Sequence, residues 1–197
     1  MLKTLAAPSH AQAKILRSTF ICFLFPVQTA EEARELIGAH AREYANATHN
    51  CFAYICGFGQ ETQYYSDAGE PHGTAGKPIL NALLRNGMTN TLAIVTRHYG
   101  GIKLGVKGLI EAYGGTAEAA LAAARLVEAI PTELIRISVD YALVDLIGAR
   151  VRELGGQVAP DEWAQRASLA ISLPAAEAPA LREFLDGFRL QSRLDYL

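Results

Sequence analysis

Twelve of the 17 glycines in this 197-residue chain fall between Gly57 and Gly115, and that placement constrains the fold more than any other feature. Glycine weakens the interior of a helix or strand and serves in turns, caps and close backbone approaches. The stretch must therefore consist of short elements joined by tight connections. The two densest connections are Ser66-Asp67-Ala68-Gly69-Glu70-Pro71-His72-Gly73-Thr74-Ala75-Gly76-Lys77-Pro78 and Thr96-Arg97-His98-Tyr99-Gly100-Gly101-Ile102-Lys103-Leu104-Gly105-Val106-Lys107-Gly108-Leu109. Between Pro71 and Ile110 there are five Lys or Arg and two His but no Asp or Glu, although the whole chain carries 18 basic against 20 acidic residues. Exposed backbone amides beside cations that lack counter-charges are what an anion site requires.

Half of the residues are hydrophobic and the formal charge is −2. That excludes disorder and a generally nucleic-acid-coating protein, and leaves any nucleic-acid site as a local patch. The longest apolar runs, Phe20 to Val27 and Thr91 to Val95, are too short to span a bilayer, and Met1 to Arg17 lacks a signal-peptide core. No membrane partner and a cytoplasmic location are the expectation. Cys22, Cys51 and Cys56 are odd in number, lie in apolar runs and match no zinc spacing, so they read as reduced core residues.

Residues 1–17 read as a loose basic lead-in, with order beginning near Ser18. Phe20 to Val27 reads as a strand, and Thr29 with Glu32 forms a capping box opening a helix to about Tyr44. Cys51 to Gly57 reads as a buried strand and Gln63 to Ser66 as an edge strand. The first glycine connection feeds a helix with Pro78 in its first turn and Gly87 at its end. Thr91 to Thr96 is short and continuously apolar, as in a strand buried on both faces. Helical spacing runs from Gly108 to Arg125 through Gly114-Gly115, a pair that requires close packing or a kink. The character changes at Pro131, which divides the chain into 1–130 and 131–197. The second half reads β-α-β-β-α-β: strand Leu134 to Asp140, helix Ala142 to Leu154, strands Gln157 to Ala159 and Ala167 to Leu173, helix Pro179 to Asp186, strand Arg189 to Leu194. That order is the ferredoxin-like split unit.

Gly73-Thr74-Ala75-Gly76-Lys77 evokes a phosphate loop, but the Walker pattern requires a glycine where Pro71 stands and Ser or Thr where Pro78 stands. Nucleotide hydrolysis by that mechanism is rejected. A glycine loop entering a helix still offers N–H groups and a positive dipole end, and Lys77 adds a charge, so Gly73, Thr74, Gly76 and Lys77 are candidates for anion capture. Arg97, Tyr99, Lys103 and Lys107 could extend that surface for phosphates, with Tyr99 as a stacking platform. Asp67 and Glu70, with His72 and His98, form an alternative pocket for acid–base work. The bland reading is that Asp67 caps local N–H groups and Glu70 pairs with Lys77 or Arg97. The histidines show no paired metal-ligand spacing, and no serine or cysteine sits in a nucleophile elbow. No catalytic residue, metal or cofactor is assigned.

These residues resemble the hallmark of the IMPACT/YigZ family, Ser-Asp-Asp-Gly-Glu-Pro-x-Gly-Thr-Ala-Gly-Lys-Pro followed by Arg-Tyr-Phe-Gly-Gly-x-x-Leu-Gly. The likeness runs from about Ser18 through Leu126 and includes Ala47-Thr48-His49-Asn50-Cys51-Phe52-Ala53-Tyr54. The resemblance implies an α+β chain with a ribosomal protein S5 domain 2-like N-terminal domain and a smaller ferredoxin-like C-terminal one. It also implies translation-linked regulation with RNA or ribosome contact and no established reaction. Three positions depart from the pattern: Ala68 stands for the second aspartate, His98-Tyr99 for Tyr-Phe, and Glu111 for an arginine. Ala68 and Glu111 are expected to face each other, with Glu111 able to turn to Lys107 one helical turn away.

The expected function is a non-enzymatic protein docking RNA or a ribosomal surface. The alternatives are an enzyme acting on a small phosphorylated or carboxylated substrate and a regulatory scaffold whose C-terminal domain binds an unknown protein.

Overall fold

A computed structural model describes residues 1–163 and 166–197, and the chain divides into two units, Met1–Ala129 and Ile130–Leu197. The first unit runs β1 (Lys3–Leu5), β2 (Ser9–Ile15), β3 (Ser18–Pro26), α1 (Ala30–Glu43), β4 (His49–Cys56), β5 (Thr62–Ser66), α2 (Gly76–Arg85), β6 (Thr91–His98), α3 (Gly105–Ala123) and β7 (Leu126–Glu128). Its main sheet has the order β2-β3-β6-β4-β5, and every pairing in it is antiparallel.

The central strand β6 is buried on both faces, as its apolar run predicts. Ala93 and Val95 join a core with Ile79 and Leu83 of α2 and Leu109, Tyr113 and Leu121 of α3. Leu92 and Ile94 point the other way and join Ala33 of α1, with Leu36 and Ile37 packed alongside. Period-2 alternation in one strand thus nails helices to both sides of the sheet. Half of the capping box that opens α1 forms, with Thr29 Oγ1 accepting from the Glu32 amide at 3.2 Å, while Glu32 Oε2 reaches one residue past the cap to accept from the Gln28 amide at 2.7 Å. In α3, a Cβ at Gly114 would meet Pro78 of α2 at an ordinary contact distance of 3.6 Å and one at Gly115 would meet nothing within 4 Å, so the close packing expected to require the glycine pair is not what the structure shows.

Two further expectations are corrected. Residues 1–17 are not a loose lead-in. β2 pairs along its whole length with β3 through the tight turn at Leu16 and Arg17, both at positive φ, and β1 pairs with β7. β2 is an edge strand, exposed on alternate residues, so Ala11, Ala13 and Ile15 are all the apolar signal it needs. The second correction concerns the last strand of the second unit.

That unit comprises β8 (Thr132–Val139), α4 (Val144–Glu153), β9 (Gln157–Trp163), β10 (Ala167–Pro174), α5 (Ala178–Arg189) and β11 (Leu194–Tyr196). Its sheet order is β11-β8-β10-β9, all antiparallel, which is the ferredoxin-like split unit. One face buries Ile135, Ile137, Ile171 and Leu173 against Ile147 and Val151 of α4 and Leu181 and Leu185 of α5. The final strand begins at Leu194, because α5 continues through Arg189 and a turn with Ser192 at φ 57° intervenes.

Candidate functional site

The first glycine connection is organised by one carboxylate. Asp67 Oδ2 accepts from the Gly73 amide at 2.8 Å, and Oδ1 accepts from the amides of Ala75 at 3.0 Å and Gly76 at 2.8 Å. Asp67 therefore caps α2 from outside the helix and fills the place an anion would take. Burial acts to raise its pKa, and the three donated amides together with His72 outweigh it, holding the carboxyl below its ordinary value. Gly76 is required here: a Cβ would lie 2.6 Å from the backbone of Ser66 at the end of β5. The Thr74 hydroxyl is also spent, donating to the Pro71 carbonyl at 2.7 Å. His72 approaches Asp67 at 3.7 Å with a side chain 93% exposed.

Glu70 turns inward instead. Its Oε1 accepts from Arg97 Nη1 at 2.5 Å and from the Tyr113 hydroxyl at 2.8 Å. The Glu70 and Arg97 side chains are only 4% and 6% exposed. Such a charge-assisted bond, shielded from water, locks the loop before α2 to the end of β6 and to α3. Burial, with Cys51 and Glu70 close by, pushes the Tyr113 hydroxyl pKa up, so it stays protonated and donates. Burial also pushes the Cys51 thiol up to about 12, and its Sγ donates to the Asp67 carbonyl at 2.9 Å. His49 Nδ1 lies 2.9 Å from the Ala68 carbonyl, which can only accept, so that nitrogen carries the proton. Its Nε2 faces Glu70 Oε1 at 3.9 Å.

Around this network opens a cleft of about 460 Å³ lined by Thr48, His49, Glu70, Pro71, Arg97, Tyr99, Lys103, Leu104, Gly105, Val106 and Leu109. Strand pairing collects these residues at one end of the sheet, where His49 lies opposite Arg97. Tyr99 is 42% exposed, with the Arg97 guanidinium 5.1 Å from its ring centroid, and its amide donates to Thr48 Oγ1 at 2.9 Å. Gly100 lets the chain pass under the β2–β3 turn, since a Cβ there would sit 2.0 Å from the Arg17 carbonyl oxygen. The connection then delivers Lys103 and the first residues of α3 to the cleft wall. No side chain caps α3, and its first turn carries no acid. Unlike α2, α3 presents its N-terminal end free of a carboxylate.

The predicted residues thus separate. Arg97, Tyr99, Lys103 and Glu70 share the cleft. Gly73 and Lys77 line a second one of about 330 Å³ with Asn81, Arg85 and Ile110. Lys107 is exposed and paired with Glu111 at 3.8 Å. His98 ends β6 opposite Thr19 of β3, so Glu70 is the one member of the alternative acid–histidine pocket that lines the cleft. Both carboxylates of that pocket take the bland roles, Asp67 as cap and Glu70 as the partner of Arg97. Lys103 enters no ion pair among the described residues.

Sequence reasoning missed Thr48, His49, Tyr113 and the start of α3. Thr48 precedes β4 and His49 opens it; the sequence gives them only as part of the family likeness, and the pairing of β4 with β6 is what brings them to Arg97. Among the described residues no group of three or more His, Cys, Asp or Glu is placed to hold a metal ion, and no helix is long and apolar enough to cross a membrane.

Residues 16–121 match the family model of the Impact N-terminal domain, a span that holds both glycine connections and every residue of the cleft. The chain is 42% identical over 139 residues to the IMPACT family member YvyE of Bacillus subtilis (strain 168), covering 71% of this chain and 64% of that protein. It is 33% identical over 174 residues to the IMPACT family member YigZ of Escherichia coli (strain K12), covering 87% and 85%. The two-domain architecture matches a crystal structure of a hypothetical protein with a TM-score of 0.72 and 31% identity, over 100% of this chain and 96% of that one. With the hallmark residues, the domain span and the full-length likeness in agreement, the chain belongs to the IMPACT family.

Proposed function

We propose that this chain is a cytoplasmic, non-enzymatic, translation-linked regulator that binds RNA, on its own or as part of a ribosomal surface, through the cleft at the end of β6. The observation that carries the reading is the uncapped start of α3 beside Lys103 and the exposed Tyr99 ring. A helix N-terminus with a free lysine holds a phosphate, and an exposed tyrosine stacks a base. Membership of a family whose resemblance implies translation-linked regulation supplies the biological setting. Asp67 occupies the start of α2, which moves the anion site from the Gly73 to Lys77 loop to the Lys103 to Lys107 segment. The enzymatic alternative loses its acid–base pair, since Asp67 is spent on three amides and Glu70 on Arg97 and Tyr113.

The test is binding to ribosomes and to structured RNA across a salt series, comparing wild type with Lys103→Glu/Lys107→Glu. Arg97 is left intact because reversing it would strand buried Glu70. Wild-type affinity should fall steeply with salt. The double variant should bind weakly, with a log–log slope shallower by about 0.7 for each single-strand phosphate it no longer neutralises. Folded wild type that binds neither RNA nor ribosomes at low salt would sink the reading.

A further inference from the structure

We propose that His49 is a proton-gated phosphate-binding group of the cleft at the end of β6: neutral, it leaves the RNA phosphate to Lys103 and the start of α3, and protonated, it adds a second uncompensated cation that holds the RNA more tightly as pH falls. This rests on the RNA-binding reading above and gives that site its regulation. His49 opens β4 and lines the cleft, with a side chain 21% exposed. The Nδ1–Cε1 edge of its imidazole rests against the Ala68-Gly69 turn: Nδ1 donates to the Ala68 carbonyl at 2.9 Å, and a Cβ at Gly69 would lie 3.3 Å from both ring atoms. That bond commits the Nδ1 proton in either charge state, so the proton that comes and goes does so at Nε2.

The charged groups around Nε2 decide what that proton does. Glu70 Oε1 faces it at 3.9 Å from the loop before α2, and Arg97 lies directly opposite on β6. Those two are each other's partners at 2.5 Å, so their charges already cancel. The approach to Glu70 is longer than a hydrogen bond and does not consume an Nε2–H. Asp67, in the same loop, is taken by three amides and has His72 at 3.7 Å. On the α3 side of the cleft stand Lys103 and a helix start with no capping side chain and no acid in its first turn. A proton on His49 therefore raises the net charge of the cleft by one, and cleft walls of low dielectric focus that charge on an incoming phosphate. Among the described residues His49 is the one histidine lining the cleft. His72 sits beside Asp67, His98 ends β6 opposite Thr19, and His10 and His40 pack on Phe23.

The experiment measures fluorescence anisotropy of a labelled ten-nucleotide oligouridine, whose bases do not titrate between pH 5.5 and 8, across a salt series at each of those two pH values. Wild type should bind about tenfold more tightly at pH 5.5, the worth of one charge-assisted contact, with a log–log salt slope steeper by about 0.7. His49→Asn, whose amide can keep the bond to the Ala68 carbonyl but takes up no proton, should lose most of both differences, with its fold checked by circular dichroism at each pH. Linkage supplies a readout in wild type alone. Saturating oligouridine should raise the midpoint of the His49 imidazole titration, followed by NMR, by about one pH unit, which is the same tenfold read from the other side. A misfolded His49→Asn therefore leaves the test intact. A rise in affinity at pH 5.5 together with a raised His49 midpoint supports the proposal. Salt-sensitive binding of equal strength at both pH values, or a His49 midpoint that RNA leaves in place, overturns it while leaving the RNA-binding reading in force. No binding at either pH overturns the function proposed above and this inference with it.

Discussion

Ala68 adopts φ 44°, a left-handed conformation that costs a non-glycine residue about 1–2 kcal/mol. It is held there from both sides: its amide donates to Ser66 Oγ at 3.2 Å, and its carbonyl accepts from His49 at 2.9 Å. The family hallmark has aspartate at this position, and aspartate tolerates the left-handed region better than alanine. Ala68 therefore carries strain that the hallmark residue relieves, whatever else that residue does in relatives. Ala68→Gly should raise stability by about 0.5–1 kcal/mol, and Ala68→Asp should raise it by a smaller amount. Urea unfolding midpoints measure both. A lower midpoint for Ala68→Gly would refute the strain reading.

At the scale of elements, the start of α2 depends on Asp67, and that dependence has a pH signature. The folded pKa of Asp67 is lowered, so the cap contributes its full stability above the unfolded value of about 3.9. That contribution is lost as pH falls from there through the folded value. Asp67→Asn keeps one oxygen for the Ala75 and Gly76 amides but turns an NH2 toward the Gly73 N–H, and should cost about 1–2 kcal/mol at pH 7 for the donor left unpaired and the charge removed. The gap between the variant and wild type should narrow as pH falls below about 4. Denaturant titrations at pH 7, 5 and 3 measure it, and a gap independent of pH would mean that the charge plays no part. Elements that announce themselves are those whose signal is local. Thr29 with Glu32 opens α1, Gly87 lies just beyond the end of α2, and the apolar run of β6 tells of burial on both faces. β1 and β2 were silent because a three-residue strand and an edge strand of small and polar residues need little hydrophobicity once a neighbour supplies the ladder. The site was half legible for a similar reason. Composition drew attention to cations and glycines, but whether a helix start is free or filled depends on one distant side chain, and Asp67 reaches across nine residues to fill that of α2.

At the scale of the whole molecule, the chain comprises two units with separate cores, and the cleft lies within the first. That unit ties its own ends together. β1 pairs with β7, and the Ala129 amide donates to the Leu2 carbonyl at 3.0 Å, so its first and last strands close on each other before the second unit begins. In the second unit, residues 131–197 hold seven Lys or Arg against ten Asp or Glu. Arg182 pairs with Glu133, Arg150 with Glu153, Arg166 with Asp140 and Asp195, and Arg193 with Asp140. Arginines engaged in this way offer little to a phosphate backbone. A fragment ending at Ala129 should therefore unfold cooperatively by circular dichroism and bind structured RNA with the salt slope of the full chain, because the number of phosphates neutralised sets that slope. A folded fragment whose slope is shallower by about 0.7 or more would place at least one phosphate-binding group on the second unit. The ferredoxin-like sheet would then join the cleft as part of the binding surface.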